Sequence, residues 1–323
     1  LGHQVEFFDY RMMQADAANM ELGARVGSRT FSLETGESGT RKVDYDLTLI
    51  LKGEVFWPQV LKNIHPCVLW NFDCWYCEQL FFLGQAKNVD VFLSPCGGKI
   101  KEWRDQGINA FYLPEAADVE LHRPMPPVPN MGADVTFIGT VKDVPERDEW
   151  LAKVGEWCDA TGHSFKIWGS FAGEKSGKWH TGQRASLSGH PHQHAEDLVH
   201  NQIVSSSGVI LDRQRNPEII GAISARIFRT MASRGLVLAK DGPYLKGMFD
   251  RGWHLLTYAN DEDCLKQLEL ALGKDNIQHP YVRDFRSSSS TSMLNIARHG
   301  YESVINKHQW VHRVQQLLEI VNA

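Results

Sequence analysis

The chemistry in this 323-residue chain is most legible in Ser224-Ala225-Arg226-Ile227-Phe228-Arg229-Thr230-Met231-Ala232-Ser233-Arg234-Gly235. Ser224 can cap a helix, its hydroxyl accepting from an orphan amide of the first turn. Ile227, Phe228 and Met231 supply an apolar face, and Gly235 closes the helix before the apolar run Leu236 to Ala239. Arg226 then falls in the first turn, where a helix start already favours anions. A guanidinium there suits a diphosphate, because its planar fork pairs two oxygens at once. An ordinary surface arginine would fit the same pattern.

Two glycines stand at the ends of apolar runs: Gly139-Thr140 after Val135 to Ile138, and Gly169 after Phe165 to Trp168. Glycine at a strand end lets backbone amides approach a phosphate, although a tight turn asks for the same residue. Neither GxGxxG nor GxxxxGK[ST] occurs, so neither a dinucleotide fingerprint nor a P-loop is supported.

In the first half, Asp9-Tyr10-Arg11, Lys52-Gly53-Glu54 and Asn71-Phe72-Asp73 fall at predicted strand ends. Asp73 is the preferred general base if one is used; capping and ion pairing explain each group equally well. Cys74-Trp75-Tyr76-Cys77 has redox or zinc spacing but lacks a second pair, so buried thiols are the simpler reading. The histidines of His190-Pro191-His192-Gln193-His194 invite a metal reading, yet no carboxylate or cysteine stands at clear spacing, and a solvated loop suits them better. No metal site is expected. Trp70, Trp75 and Trp168 could stack on a sugar or base, or simply fill a core.

The elements that must position these groups alternate. Val5 to Phe8, Asp46 to Leu51, Val68 to Asn71, Val89 to Leu93 and Ala110 to Leu113 read as buried strands, with helices over Trp57 to Asn63, Glu78 to Gly84 and Ile100 to Gln106. Residues 23 to 44 read as a loop or irregular hairpin. Four prolines within Arg123 to Pro129 make a linker and divide the chain near residue 128. The pattern then restarts. Strands are expected over Val135 to Ile138, Phe165 to Trp168, Val209 to Leu211, Leu236 to Ala239 and His254 to Thr257. Helices are expected over Arg147 to Thr161, Ser224 to Arg234, Glu262 to Leu272 and Tyr301 to Val321. Buried strands alternating with helices imply parallel sheets covered on both faces. The expected fold is therefore α/β, with two Rossmann-like parallel-sheet domains (1–128 and 129–300) facing a cleft, and a tail helix over 301–323. Ligands in such sheets sit beyond the carboxyl ends of the strands.

The composition is ordinary, 42% hydrophobic and 23% charged, and no apolar run approaches the roughly 20 residues of a membrane span. A net charge of −5 argues against broad binding to nucleic-acid backbones. Six cysteines in a chain of this length need no disulfide scaffold, and a cytoplasmic setting is expected.

Leu113-Pro114-Glu115-Ala116-Ala117-Asp118 with Arg123-Pro124, Asp134 to Thr140 with Arg147, Ile167-Trp168-Gly169, Ala225-Arg226-Ile227-Phe228 to Ala232 with Gly235, and Gly300-Tyr301-Glu302 with His308 and Arg313 occur in this order. Together they resemble the CgeB-like (spore maturation protein) glycosyltransferases, relatives of glycosyltransferase family 4 with the GT-B fold. The resemblance implies transfer of a sugar from a nucleotide-sugar, UDP-linked by preference, without a metal and with retention of configuration. It implies donor contacts on the second domain from Gly139, Thr140, Arg147, Trp168, Gly169, Arg226, Phe228, Arg229, Thr230, Gly242 and Tyr244. Arg226 would also stabilise the leaving diphosphate, which is catalysis by electrostatics. Asp9, Arg11 and Lys52, with Asp73, would face the acceptor, which is a glycan, small molecule, protein or modified nucleic acid. The tail helix would cross back to the first domain. Two departures accompany the likeness. Family 4 enzymes carry a Glu, seven residues, Glu motif; here Gly221 and Arg229 fall at those positions, leaving Glu218 or Asp212 as substitutes. Related chains also begin with a strand and glycine loop before the segment matching Leu1 to Val5, so the first domain is expected to lack its first strand. A binding-only relative and a nucleotide-sugar epimerase of the same fold are the alternatives.

Overall fold

The computed structural model describes residues 3–5, 18, 22, 45–53, 55–72, 80–141, 144–169, 173–182, 193–214, 221–273 and 293–323. The chain forms two compact units, one ending at Pro114 and one beginning at Glu115.

In the first unit, β1 (Thr48–Leu51), β2 (Cys67–Trp70), β3 (Val91–Ser94) and β4 (Ala110–Tyr112) form a parallel sheet in the order β1-β2-β3-β4. β2 and β3 are buried along their whole length, as the apolar runs Cys67 to Trp70 and Val91 to Leu93 require. β1 pairs with β2 alone among the described residues, and its Leu49 and Leu51 are exposed. Short helices Pro58–Leu61, Leu80–Ala86 and Ile100–Asp105 link the strands. Gln85 is buried because its amide donates to the carbonyls of Gly53 and Phe56. The strand expected over Val5 to Phe8 lies, beyond Val5, outside the described residues.

In the second unit, β5 (Val135–Ile138), β6 (Phe165–Trp168), β7 (His180–Gly182), β8 (Val209–Asp212), β9 (Leu236–Lys240) and β10 (Leu256–Tyr258) form a parallel sheet in the order β10-β9-β8-β5-β6-β7. The chain runs outward from β5 through β6 to β7, then returns to β8 on the other side. The switch point therefore lies between β5 and β8, whose register pairs Phe137 with Leu211. In parallel sheets a ligand crevice opens there, outside the carboxyl ends of the strands. One face of the sheet carries a core of Phe137, Trp150, Leu151, Val154, Leu211, Tyr258 and Leu268. Trp150 stacks on Tyr258 with ring centroids 5.8 Å apart. Burying each such side chain contributes about 1.5–3 kcal/mol.

Several differences from expectation have local causes. The proline segment is bonded within the second unit: Met125 and Val128, two of its residues that keep an N–H, donate to the hydroxyls of Ser205 and Ser206. Those serines close or follow the helix Gln193–Ser205, which apolar periodicity does not announce. The unit division accordingly lies before the proline run rather than near residue 128. β10 begins at Leu256, because His254 is held in the preceding turn, where its ring accepts from the Asp250 amide. The helical tail is two helices, Met293–Lys307 and Trp310–Val321. Gln309 separates them by capping the second one reciprocally with His312. Cys67, Cys158 and Cys264 are buried free thiols whose pKa burial pushes up to about 12, whereas Cys96 is disulfide-bonded. Among the described residues no helix is long and apolar enough to cross a membrane.

Candidate functional site

The carboxyl end of β5 meets the start of the helix Ala225–Ala232. Ser224 caps that helix, its hydroxyl accepting from the Arg226 amide at 3.2 Å. The cap fixes Arg226 in the first turn, and the side chain lies against the sheet instead of in solvent. Its guanidinium sits 4.8 Å over the Phe137 ring and its Nη1 donates to Asp212 Oδ1 at 2.5 Å. Asp212 is the last residue of β8, so this ion pair spans the switch point. The Arg226 side chain is 17% exposed and that of Asp212 3%. Nε and Nη2 of Arg226 make no hydrogen bond among the described residues.

Gly139 is part of the same constellation. Its amide donates to the Trp168 carbonyl, and a Cβ at this position would lie 2.5 Å from Arg226 Nη2. Glycine is therefore required for the guanidinium to reach the end of β5. Gly169 is constrained harder, since its Cβ would lie 2.1 Å from the Gly139 carbonyl oxygen. Arg147 bridges the loops after β5 and β8, donating to the carbonyls of Thr140 at 2.6 Å and Arg213 at 2.9 Å. Arg213 in turn pairs with Asp261, which also binds Lys153. Burial raises the Asp261 carboxyl, but hydrogen bonds from Lys153 and Arg213 outweigh it and leave the pKa lowered.

An open pocket adjoins the ion pair. Asp212, Gly221, Ile223, Lys240, Gly242 and Tyr244 line it, among others. It occupies the carboxyl ends of β8 and β9 and the starts of the helices Ala225–Ala232 and Pro243–Met248. The structure thus brings together Gly139, Thr140, Arg147, Gly169 and Arg226 on one side of the ion pair. Gly242 and Tyr244 lie at the pocket on the other.

Three expected ligand contacts are corrected. Phe228 is fully buried and packs against Phe249 and His308, because the inner face of its helix points into the core. Thr230 is also fully buried, and its hydroxyl has no partner among the described residues. Trp168 packs in a core cluster with Val199 and Ile203, its indole N–H donating to the Met131 carbonyl. Arg229 is half-buried and lies outside the pocket lining. The helix also ends differently: Arg234, at φ +58°, takes the left-handed position expected of Gly235. Gly235 is instead needed for space, since a Cβ there would lie 2.5 Å from Val204 and 2.6 Å from the Thr230 methyl.

In the first unit Lys52 is exposed at the end of β1 with φ +70°. Asp9, Arg11, Glu54, Asp73, Cys74, Cys77, His190, His192 and Glu218 lie outside the described residues, and so does the His194 side chain. Sequence reasoning missed Lys240 and Gln214 as pocket residues. The available signal was positional: a polar residue closing an apolar strand, as Asp212 and Lys240 both do.

The model of a family described as glycosyl transferase-like matches residues 147–319, more than half of the chain. The chain belongs to that family. Solved structures give this glycosyltransferase the GT-B fold. Sucrose-phosphate synthase from Thermosynechococcus elongatus is 11% identical, with a TM-score of 0.58 over 86% of this chain and 73% of its own. Anabaena HepE, solved with UDP and glucose, is 10% identical with a TM-score of 0.57 over 86% and 78%. S. aureus TarM, solved with fondaparinux, α-GlcNAc-glycerol and UDP, is 12% identical with a TM-score of 0.53 over 85% and 55%. At these identities the likeness is one of fold. No curated protein matches the glycosyltransferase in sequence.

Proposed function

We propose that this glycosyltransferase takes its sugar from a nucleotide-sugar, and that Arg226 receives the donor's diphosphate. The carrying observation is the Arg226 guanidinium, largely buried at the switch point and fixed by Asp212, with two nitrogens still unbonded beside Gly139. Preorganised cations are effective where charge develops, because they need no rearrangement during the reaction. The leaving diphosphate would gain charge-assisted hydrogen bonds from Nε and Nη2, with the helix start and its Ser224 cap behind them. Gly139, Thr140, Gly169 and Arg147 shape that side, while Gly242 and Tyr244 belong to the pocket that takes the rest of the donor. The neighbours solved with UDP support a uridine nucleotide as the first choice. In this reading the guanidinium carries the electrostatic role and no resident metal is needed, so activity survives a chelator. Retention of configuration follows the CgeB-like resemblance. The acceptor, contacted in this reading from the first unit, is left to chemical class: glycan, small molecule, protein or modified nucleic acid.

The test is release of nucleoside diphosphate from a panel of UDP-, GDP- and TDP-sugars, with and without EDTA. One sugar nucleotide is expected to be consumed faster than the spontaneous rate, with EDTA inert, and Arg226→Ala is expected to abolish the gain. Binding without turnover, with any acceptor class, would favour the binding-only reading, which the non-acidic Gly221 and Arg229 motivate. Conversion of the sugar without an acceptor would favour the epimerase.

A further inference from the structure

We infer that Asp212 is the residue that recognises the donor's sugar hydroxyls, an inference that rests on the reading of the site as a nucleotide-sugar site. Asp212 is 2% exposed and lines the pocket. Its main-chain oxygen accepts from the Tyr258 hydroxyl at 3.2 Å and its Oδ1 from Arg226 Nη1 at 2.5 Å. Its Oδ2 has no hydrogen bond among the described residues. A carboxylate offers about four acceptor sites. Oδ2 is not sealed off like the buried polar atoms that lack partners, so it is open to the pocket, and a ligand that donates is favoured there over one that only accepts.

The chemistry of that group is narrow. A phosphate only accepts, and the Asp212 charge repels it, so the diphosphate belongs on the Gly139 side of the guanidinium. A cationic ligand would meet Lys240 in the pocket lining and a carboxylate whose charge Arg226 already pairs. A neutral ring with adjacent hydroxyls remains: each hydroxyl donates to the carboxylate and can accept in return. Gly221, at φ +62°, lines the same pocket without a side chain and leaves room for such a ring. Arg226 holds the acidic group in place, so one ion pair presents a donor fork to phosphate and an acceptor to hydroxyls. The ring is either the ribose of the nucleotide or the transferred sugar, and the two are separable by experiment.

The experiment measures binding of wild type and Asp212→Asn to UDP-glucose, UDP, 2′,3′-dideoxy-UDP and inorganic pyrophosphate, replacing uridine by whichever nucleotide wild type binds. The variant is expected to lose about tenfold or more in affinity, as for one hydrogen bond to a charged group. A loss confined to the nucleotide-sugar assigns the transferred sugar. A loss shared with UDP but absent for the dideoxy nucleotide assigns the ribose. Pyrophosphate binding is expected to hold or tighten, because a negative charge is gone. Equal losses for pyrophosphate and every nucleotide, or no loss for any, would overturn the assignment. Should the variant fail to fold, wild type decides alone: the dideoxy nucleotide binding as well as UDP, together with UDP binding as well as UDP-glucose, would overturn the assignment, and weaker binding in either comparison would support it. Failure of wild type to bind any nucleotide would instead remove the donor-site reading beneath it.

Discussion

A single carbon added at Gly139 would reach 2.5 Å from Arg226 Nη2 and 3.2 Å from the Phe137 ring. The nearer atom is the tip of a flexible side chain, so the guanidinium yields while the backbone stays. Gly139→Ala is expected to fold with a cost of about 1–3 kcal/mol, in the range of ordinary overpacking. Its affinity for a nucleoside diphosphate is expected to fall by about tenfold, because the displaced guanidinium loses charged hydrogen bonds. Gly169→Ala behaves differently, since its Cβ meets the Gly139 carbonyl at 2.1 Å and backbone must move. It is expected to lower thermal stability more than Gly139→Ala does. Paired melting and titration of the two variants check both statements. At this scale the sequence disclosed Arg226 and the two glycines, because helix caps and strand ends are local patterns. It concealed the Asp212 partner, which stands fourteen residues away at the end of β8 and is joined to Arg226 only by the fold.

The helix Ala225–Ala232 has two jobs, and its residues divide between them. Arg226 serves the site, while Phe228, Thr230 and Met231 are buried in the core. Phe228 contacts Phe249 and His308, with ring centroids 5.7 Å apart in both pairs. Phe228→Ala is expected to cost about 3–5 kcal/mol of stability, as for a large buried aromatic. At a temperature where the variant remains folded, its affinity for the nucleotide is expected to match wild type; urea unfolding and a titration separate the effects. The resemblance assigned Phe228 and Thr230 to the ligand because they lie within a motif. Helical periodicity turns Phe228 about 200° away from Arg226, whereas Thr230, one turn on, shares the Arg226 side and is buried by its place further along the helix; both are properties of the element and not of the motif. Strands were read more accurately. β5 and β6 match their expected limits because short, mostly apolar stretches have few other solutions; β5 is buried along its whole length and β6 everywhere but at Lys166. The helix Gln193–Ser205 was missed because its opening residues are polar and histidine-rich. The break at Gln309 was missed because a capping pair makes it, without glycine or proline.

In the whole molecule, the C-terminal helices fasten the second unit to its own beginning. Gln309 bridges to Ala117, and buried Arg313 donates to the Glu115 carbonyl at 3.2 Å and lies 3.0 Å from the His308 ring nitrogen. Burial first, and then the Arg313 charge, hold His308 down at about 3. The unfolded chain protonates its histidines near pH 6.5. Between those values the unfolded state binds the extra proton, so stability is complete above about pH 6.5 and declines as pH falls towards the folded value. The decline is at most about 1.4 kcal/mol per pH unit for one group. Thermal unfolding from pH 7 to 4 is expected to show this slope in wild type and a shallower one in His308→Gln. The two-unit parallel α/β architecture was legible in the alternation of apolar runs and helices. The division at Pro114 was not, because the proline segment that looked like a linker is anchored by Ser205 and Ser206.

The central claim is that the donor's diphosphate rests on Arg226. Calorimetric titration of wild type and Arg226→Ala with the nucleoside diphosphate that wild type prefers, and with the matching nucleoside, tests it most directly. The structure predicts that the variant loses about 10- to 100-fold for the diphosphate, the worth of one or two charged hydrogen bonds. It predicts little change for the nucleoside. Equal diphosphate affinity in the two proteins, with the variant folded, would contradict it.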